Sequence, residues 1–356
     1  MELFVLITGG RTGSGFFHSI LDGHSEISSL PGEFFFDDFI DTVRNEKNLP
    51  KIARAFFNEN KYLFNSKLEK FDRLGELGEN RNEAFKISYS KFQEYFVKIY
   101  KNKTRNKMNL LISIHLAYSA ANKENYKKKK IILLHLHHIH RINKISDLNF
   151  KIFYTIRDPL ANISAFFLNW TNFKGKIIDP WSQYYNLSRT VDGINKMTKL
   201  NKQIYVIRLE DLHKKNKIIV NKVCKILNLK KEKILFRSTF LKKKWWGDKA
   251  TKKYLNGVNK NFKNTINLEL FFERDIYFLQ KILKTYIAKF GYKRIPCKKK
   301  NFMRIFFPMK LELIIFKDNL KKFNLLELLR SLIYYLKRVF LFINFKLTKS
   351  KLVKKL

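Results

Sequence analysis

The sequence predicts an α/β fold built on a parallel sheet, and two patterns support that prediction. Short, β-branched apolar runs alternate with longer segments of helical periodicity, as expected when buried parallel strands alternate with helices. Two of the predicted strands run straight into a turn and a new helix, one after residue 8 and one after residue 156. Apolar residues make up 45% of the 356-residue chain, which is enough to form a large core.

The first strand, over Leu3–Ile7, leads into the glycine-rich turn Gly9-Gly10-Arg11-Thr12-Gly13-Ser14-Gly15. Glycine allows backbone N–H groups to converge, because it has no Cβ and adopts positive φ at little cost. Ser14 is predicted to cap the next helix, whose N-terminus attracts phosphate, and Arg11 adds a cation. No Lys-Ser or Lys-Thr pair follows the glycines, so the turn is not a Walker A motif. The turn alone is also compatible with a strand–helix connection that binds nothing.

A second strand is predicted over Glu26–Leu30, closed by Pro31-Gly32, which puts Glu33 at the carboxyl end of that strand. Open parallel sheets bind ligands outside the carboxyl ends of their strands, so Glu33 is expected near the glycine-rich turn. A solvent-exposed turn glutamate is the alternative. Residues 37–122 then have mostly helical character, with clear periodicity over Ala84–Lys101 and Met108–Ala121.

Four histidines follow the buried strand predicted over Ile131–Leu134: they are His135, His137, His138 and His140. Imidazole is the commonest metal ligand among side chains, so such a cluster suggests a metal site. No cysteine or acidic residue lies within the cluster, however, and polar residues of a strand-end loop would give the same pattern.

A second strand–turn–helix unit begins with the strand Phe150–Ile156 and continues as Arg157-Asp158-Pro159. Proline suits the first helical position, where its missing N–H costs nothing, and the planar fork of arginine suits phosphate oxygens. An ion pair at the helix start is the alternative role for Arg157. Further elements are predicted as a helix over Trp181–Leu200, a strand over Ile204–Leu209, and a final helix over Tyr277–Phe290 ended by Gly291.

Taken in order, the run Gly10–Gly15, the stretch from Leu21 to Glu33 and the Arg157 turn resemble the sulfotransferase superfamily. The resemblance implies a P-loop-like, three-layer α/β/α fold and 3′-phosphoadenosine-5′-phosphosulfate (PAPS) as co-substrate. It assigns the 5′-phosphosulfate to Gly10, Arg11, Thr12, Gly13, Ser14 and Gly15. It assigns the 3′-phosphate to Arg157 and a serine. Ala165 occupies the usual serine position, so Ser164 is assigned through a turn shortened by one residue.

The resemblance also implies the chemistry. Glu33 would be the general base for an acceptor hydroxyl, a role that requires burial to raise its pKa toward the working pH. His135 or His137 is the second candidate base, and Arg11 would stabilise charge on the leaving phosphate. No metal is expected. The segment Trp245–Asn259 is expected to fold over the nucleotide, and a basic surface loop is the alternative. A carbohydrate hydroxyl is the favoured acceptor, and a protein tyrosine or a lipid remains an alternative.

The charge of the chain suggests two rival functions. A formal net charge of +42 attracts polyanions, although coding bias alone can produce a lysine-rich surface. A nucleotide kinase needs a lysine in the glycine turn and a metal-binding carboxylate, and the sequence shows neither. A nucleic-acid-binding protein is suggested by charge alone; the sequence has no helix-turn-helix or RNA-binding signature, so no specific nucleic-acid partner is expected.

The chain is predicted to divide into a catalytic domain over residues 1–295 and a basic, amphipathic helical extension over residues 296–356. Residues 297–356 hold sixteen basic and three acidic side chains, so the extension is expected either to contact an anionic membrane surface or to pack on the domain. Two distant cysteines, Cys224 and Cys297, and the lack of a signal peptide or membrane span favour a cytoplasmic bacterial enzyme, with peripheral contact at the inner membrane.

Overall fold

The computed structural model describes residues 1–299, 301–347 and 350–356. Its strands are β1 Glu2–Thr8, β2 Ile27–Ser29, β3 Ile131–His137, β4 Lys151–Ile156, β5 Ile204–Arg208, β6 Thr239–Phe240, β7 Lys243–Lys244 and β8 Val353–Lys355. Six of them form a parallel sheet in the order β2-β3-β1-β4-β5-β8, and β6 pairs with β7 as an antiparallel ribbon. The predicted α/β fold with a central parallel sheet is confirmed.

Helices connect the strands. The α-helices among the described residues are α1 Ser14–Leu21, α2 Phe36–Val43, α3 Leu49–Glu59, α4 Lys61–Phe64, α5 Tyr89–Tyr100, α6 Lys107–Ala121, α7 Pro159–Lys174, α8 Pro180–Thr198, α9 Leu209–Lys214, α10 Asn216–Leu227, α11 Glu273–Ile282, α12 Lys284–Phe290, α13 Lys310–Lys321 and α14 Leu325–Asn344. Short 3₁₀ helices lie at Ser66–Leu68, Tyr126–Lys128, Ile139–Ile145, Lys233–Phe236, Lys249–Thr251, Leu268–Leu270 and Phe302–Phe306.

The strand β1 is central in the sheet and is buried from Leu3 to Thr8. Its apolar run is continuous because both faces of a parallel strand are covered by other elements. Phe4 stacks on Phe153 of β4 with ring centroids 5.0 Å apart, and Phe17 of α1 meets the same ring edge-on. This packing places the turn that follows β1 at the carboxyl edge of the sheet.

The predicted cap of α1 is wrong. Gly13 is the N-cap residue, with φ +81°, so Ser14 is the first residue inside the helix and makes no capping hydrogen bond. At the second junction Pro159 is the first residue of α7, as predicted. There Asp158 is the cap, and its Oδ1 accepts a hydrogen bond from Ala161 N at 3.0 Å.

The helix predicted over Ala84–Lys101 begins later, at Tyr89, where Ser88 caps it. The final helix predicted over Tyr277–Phe290 is two helices, α11 and α12, separated at Leu283. Gly291 ends α12 in the left-handed conformation, as the sequence indicates.

Described segments near the C-terminus pack against the rest of the fold. Arg338 of α14 is buried and ion-paired to Glu312 of α13 at 3.0 Å, while Tyr334 contacts Tyr184 of α8 with ring centroids 5.4 Å apart. The strand β8 then pairs with β5. The sequence did not predict β8, which lies at the edge of the sheet. The domain boundary at residue 296 stays a prediction. Within the described ranges, no helix combines the length and apolarity needed to span a bilayer.

Candidate active site

A cavity of about 1170 Å³ opens at the carboxyl ends of the strands. The turn after β1 forms one wall, and Glu33, the end of β3 and Arg157 form others. These lining residues include most of the sequence-predicted candidates: Gly10, Arg11, Thr12, Gly13, Ser14, Gly15, Glu33, His135, His137 and Arg157. The two predicted strand-to-helix junctions therefore face one common space.

The turn after β1 has the shape of an anion site. Gly10, Arg11 and Gly13 have φ values of +79°, +47° and +81°. Gly10 and Arg11 are consecutive left-handed residues, and Thr12 separates them from the left-handed Gly13. Left-handed residues in a turn re-aim the backbone N–H groups beside them, and such groups can form a concavity that favours an anion. A Cβ on Gly10 would lie 2.4 Å from a guanidinium nitrogen of Arg189, and a Cβ on Gly13 would lie 2.4 Å from Leu209 Cδ1. These contacts are with the ends of flexible side chains, so the positive φ is the main reason that both positions favour glycine.

Threonine hydroxyls hold this turn to the sheet. Thr12 Oγ1 lies 2.7 Å from Thr8 Oγ1 and 2.8 Å from Thr155 Oγ1, and Gly10 N donates to Thr8 Oγ1 at 2.9 Å. Thr12 is buried, and both contacts of its hydroxyl are to other threonines, so this hydroxyl fixes the shape of the turn.

Arg11 connects the turn to a distant segment. It donates to Asp248 Oδ2 at 2.9 Å, and with the amide of Asn169 oriented to satisfy its hydrogen bonds, that amide oxygen accepts from Arg11 at 3.0 Å. Asp248 belongs to the segment Trp245–Asn259, most of which lines the cavity. The ion pair therefore fastens this segment beside the glycine turn.

Glu33 and His137 form a close pair, in which His137 Nδ1 lies 2.6 Å from Glu33 Oε1. A bulge in β3 produces this contact: Leu6 pairs with His135, but the next residue, Ile7, pairs with His137. His137 itself has φ +62°. Bulges re-aim side chains and are common beside active sites. The bulge directs the His137 ring toward Glu33.

The pKa of Glu33 is lowered, so the expectation of a raised pKa is wrong. Burial alone raises it, but the charge and hydrogen bond of His137, and then the charges of His138 and Arg189, more than compensate. The carboxylate is therefore ionised at neutral pH and able to accept a proton.

His135 is 4% exposed, and its Nδ1 lies 3.2 Å from Nδ1 of His18. Burial lowers the pKa of His135 well below its ordinary value and that of His18 to about 4, so both rings are neutral. Among the described residues, His135 Nε2 has no hydrogen-bond partner. Ligand atoms of Glu33, His135 and His137 lie within 4.8 Å of one another, an arrangement that can also hold a metal ion. That the reaction needs no metal stays a prediction.

Arg157 lies at the second junction. Its Nε donates to Asn264 Oδ1 at 3.1 Å, and its guanidinium lies 5.9 Å from the ring centroid of Phe262. Burial lowers the pKa of Arg157 by more than the nearby Glu210 raises it. The guanidinium is still charged, because an arginine keeps its charge at any physiological pH. A cation held in place at the cavity wall is suited to binding a phosphate.

Ser164 does not reach this site. It is buried in α7, its Oγ donates to Ala161 O at 3.3 Å, and it is not among the cavity-lining residues. The helix directs the side chain back onto its own preceding turn. The predicted role of Ser164 in phosphate binding is therefore corrected: Arg157 alone of that pair faces the cavity.

Sequence reasoning missed Arg189 of α8, which is also 4% exposed and lines the cavity. Its guanidinium lies 4.4 Å from the ring centroid of Tyr185 and packs against Gly10. The available signal was weak: Asn186, Arg189 and Gly193 share one helix face, at spacings of three and four residues. The site thus has three arginines, Arg11, Arg157 and Arg189, contributed by three different elements.

Asp72 is a second residue that the sequence did not reveal. It lines the cavity from an irregular segment, and burial, followed by the charges of Glu69, Glu33 and Asp248, raises its pKa. A carboxyl group of this kind holds a proton more readily than an ordinary aspartate.

Comparisons with known proteins identify the family of this chain. The model of the Sulfotransferase family matches residues 4–233. Two solved structures are similar. The "Sulfotransferase Domain from the Curacin Biosynthetic Pathway" is 18% identical, and the match covers 83% of this chain and 98% of that chain with a TM-score of 0.42. The "Sulfotransferase Domain from the Synechococcus PCC 7002 Olefin Synthase" is 14% identical, and the match covers 67% of this chain and 76% of that chain with a TM-score of 0.36. A search of curated protein sequences gave no match. The family match spans more than half of the chain, including the glycine turn, Glu33 and Arg157, and the chain belongs to the sulfotransferase family.

Proposed function

We propose that this sulfotransferase moves a sulfuryl group from PAPS to a hydroxyl group of a carbohydrate acceptor. One observation supports the proposal above all: the glycine turn, the Glu33–His137 pair and Arg157 line a single cavity. A nucleotide with phosphate groups at both its 3′ and 5′ positions requires two separate anion sites. We assign one to each of the two strand-to-helix junctions of the cavity.

The residues present fit such a donor. Gly10 and Gly13 line the cavity with positive φ, a conformation that glycine adopts at little cost, so the backbone of the turn is suited to meeting a phosphosulfate. Arg11 supplies charge beside it, and Arg157 supplies charge at the second junction. The cavity volume exceeds that of a typical drug-sized ligand site, which leaves space for an acceptor beside the nucleotide.

The chemistry assigned to the chain is proton transfer and charge stabilisation. Glu33 takes the proton of the acceptor hydroxyl while that oxygen bonds to sulfur. The sulfur–oxygen bond to the 5′-phosphate breaks, and its electron pair leaves on the phosphate. Arg11 and the backbone of the turn stabilise the negative charge that develops there. His137 holds the Glu33 carboxylate in position through their 2.6 Å contact.

The aromatic wall of the cavity supports a carbohydrate acceptor. Trp181 and Tyr185 stack in parallel with ring centroids 5.1 Å apart, and both line the cavity. Flat aromatic faces suit the apolar face of a sugar ring, while Glu33 and Asp72 supply polar groups in the same cavity.

A transfer assay tests the proposal. Sulfur-labelled PAPS is incubated with the protein and, in parallel, with oligosaccharides, a tyrosine peptide or a long-chain alcohol. The proposal predicts labelled oligosaccharide without added magnesium and in the presence of a chelator. Label on the peptide or the alcohol alone would contradict the acceptor class. Magnesium-dependent transfer from ATP in place of PAPS would contradict the donor.

A further inference from the structure

The helical hairpin formed by α13 and α14 has an unusual surface. Phe323, at the turn between the helices, is 88% exposed, and Leu325 at the start of α14 is 79% exposed. The outer face of α14 continues this apolar surface along the whole helix, through Leu325, Leu329, Leu332, Leu336, Phe340 and Ile343. Exposed apolar groups scattered singly are ordinary, but a contiguous stripe usually marks an interaction surface.

The stripe has strict helical periodicity, with steps of three or four residues over the whole of α14. Such a face extends for about 30 Å along a twenty-residue helix. A neighbouring face of α14 is used for packing: Arg338, Val339 and Phe342 are buried. The helix therefore has two apolar faces, and packing onto the domain explains the inner one alone.

The surroundings of the stripe are positively charged. Residues 310–346 hold eight basic and three acidic side chains, and one of those acidic residues, Glu312, is paired with the buried Arg338. Lys317 and Lys321 lie on α13, and Lys322, which precedes Phe323, is paired with Asp318 at 2.6 Å. A partner for this surface needs apolar depth and negative charge together.

We infer that the outer face of the α13–α14 hairpin, defined by Phe323 and the α14 stripe, docks on an anionic lipid bilayer. A helix with an apolar face and flanking lysine and arginine lies in the interface of such a bilayer, with its apolar side chains among the acyl chains. A second copy of this chain is the weaker candidate, because it would bring a second basic surface against the first. The inference concerns a surface outside the cavity and does not depend on the reaction proposed above.

Vesicle co-sedimentation of the full chain tests the inference. The vesicles contain either phosphatidylcholine alone or phosphatidylcholine with about 30% phosphatidylglycerol. The protein is expected to bind the anionic vesicles, to release as salt is raised, and to bind the neutral vesicles at least about tenfold more weakly.

The variant Leu329→Glu/Leu336→Glu places two charges on the exposed stripe and should weaken binding to anionic vesicles by at least about tenfold. The matched control is Ile218→Glu/Leu268→Glu, which makes the same change at two exposed positions away from the hairpin and should bind as the wild type does. Circular dichroism and the affinity for 3′,5′-adenosine bisphosphate report folding and the cavity, and both should be unchanged.

Three outcomes would overturn the inference. They are equal binding to neutral and anionic vesicles, undiminished binding by the Leu329→Glu/Leu336→Glu variant, or a vesicle-free dimer in sedimentation velocity that this variant converts to monomer while neither protein binds vesicles. Failure of the transfer assay would leave vesicle binding unaffected, so the two proposals fail separately.

Discussion

The two strand-to-helix junctions of the cavity offer different groups to a ligand. After β1, left-handed residues at Gly10, Arg11 and Gly13 turn the backbone toward the cavity, and no side chain caps α1. After β4, Asp158 caps α7 with its own carboxylate. At that junction Arg157, rather than the helix end, faces the cavity.

This difference predicts that the two junctions would bind an anion in two different ways. The first junction depends on backbone shape, so the positive φ of Gly10 and Gly13 makes any other residue there strained. The second depends on one charged side chain held by Asn264. Substitutions at the two junctions should therefore weaken donor binding for different reasons: loss of backbone shape at the first junction and loss of charge at the second.

The largest effect is expected at Glu33, which lies beside the first junction. Glu33→Gln keeps the shape of the side chain but removes the base, so turnover should fall by about 10²–10⁴-fold while nucleotide affinity is retained. Single-turnover transfer and calorimetry measure the two quantities. The control Glu94→Gln removes the same charge at an exposed position on α5. Undiminished turnover in Glu33→Gln would remove Glu33 from the mechanism.

The next effect tests the backbone at the first junction. In Gly10→Ala the new Cβ lies 2.4 Å from the Arg189 guanidinium at a positive φ, so donor affinity should fall by at least about 30-fold. Gly175→Ala is the matched control, since Gly175 also has positive φ (+66°) but a Cβ there meets nothing within 4 Å. The control should lose only a little thermal stability. Equal donor affinity in the two variants would show that the shape of the turn is not required.

A smaller effect is expected at the second junction. Arg157→Gln should raise the KM for PAPS by about 10–100-fold and change kcat less, because the lost charge binds a part of the donor remote from sulfur. Ser164→Ala should leave both constants unchanged, since that hydroxyl is bonded within α7. A raised KM in Ser164→Ala would reinstate Ser164 as a ligand of the phosphate.

The smallest effect concerns pH. The lowered pKa of Glu33 keeps it ionised as pH falls, so the acidic limb of kcat/KM should lie below pH 4.5, the ordinary value for glutamate. His137→Ala removes the charge and hydrogen bond that lower this pKa, so burial then dominates and the limb should move to higher pH. His140→Ala changes a neighbouring histidine outside the cavity lining and should leave the limb in place. An unmoved limb in His137→Ala would contradict the pairing of His137 with Glu33.

The parts of the fold and site that the sequence predicts are local ones. The strand over Leu3–Ile7, the glycine turn and the Arg157 turn each combine a short apolar run with residues of special backbone behaviour, so adjacent residues carry the whole signal. The cap of α1 was predicted wrongly because Gly13, with its positive φ, is the N-cap residue, so the helix begins one residue earlier than expected.

Contacts between distant segments could not be predicted in this way. Arg189 and Asp248 meet the turn from α8 and from residues 245–259, and a single sequence does not show which surface residues fold inward. The lowering of the Glu33 pKa could not be predicted for the same reason. The burial of Glu33 was foreseeable, but the bulge that brings His137 to 2.6 Å from it was not. The strand β8 is three residues long and is separated from β5 by 145 positions or more in the sequence, so the local pattern did not reveal this pairing.

The central claim is that the two junctions bind opposite ends of one adenosine nucleotide. Calorimetric titration of the wild type and Arg157→Gln with 3′,5′-adenosine bisphosphate and with AMP tests it most directly. The account predicts that the wild type binds the bisphosphate at least about tenfold more tightly than AMP and that Arg157→Gln abolishes this preference. Equal affinity of the wild type for the two nucleotides, or a preference that survives in Arg157→Gln, would contradict it.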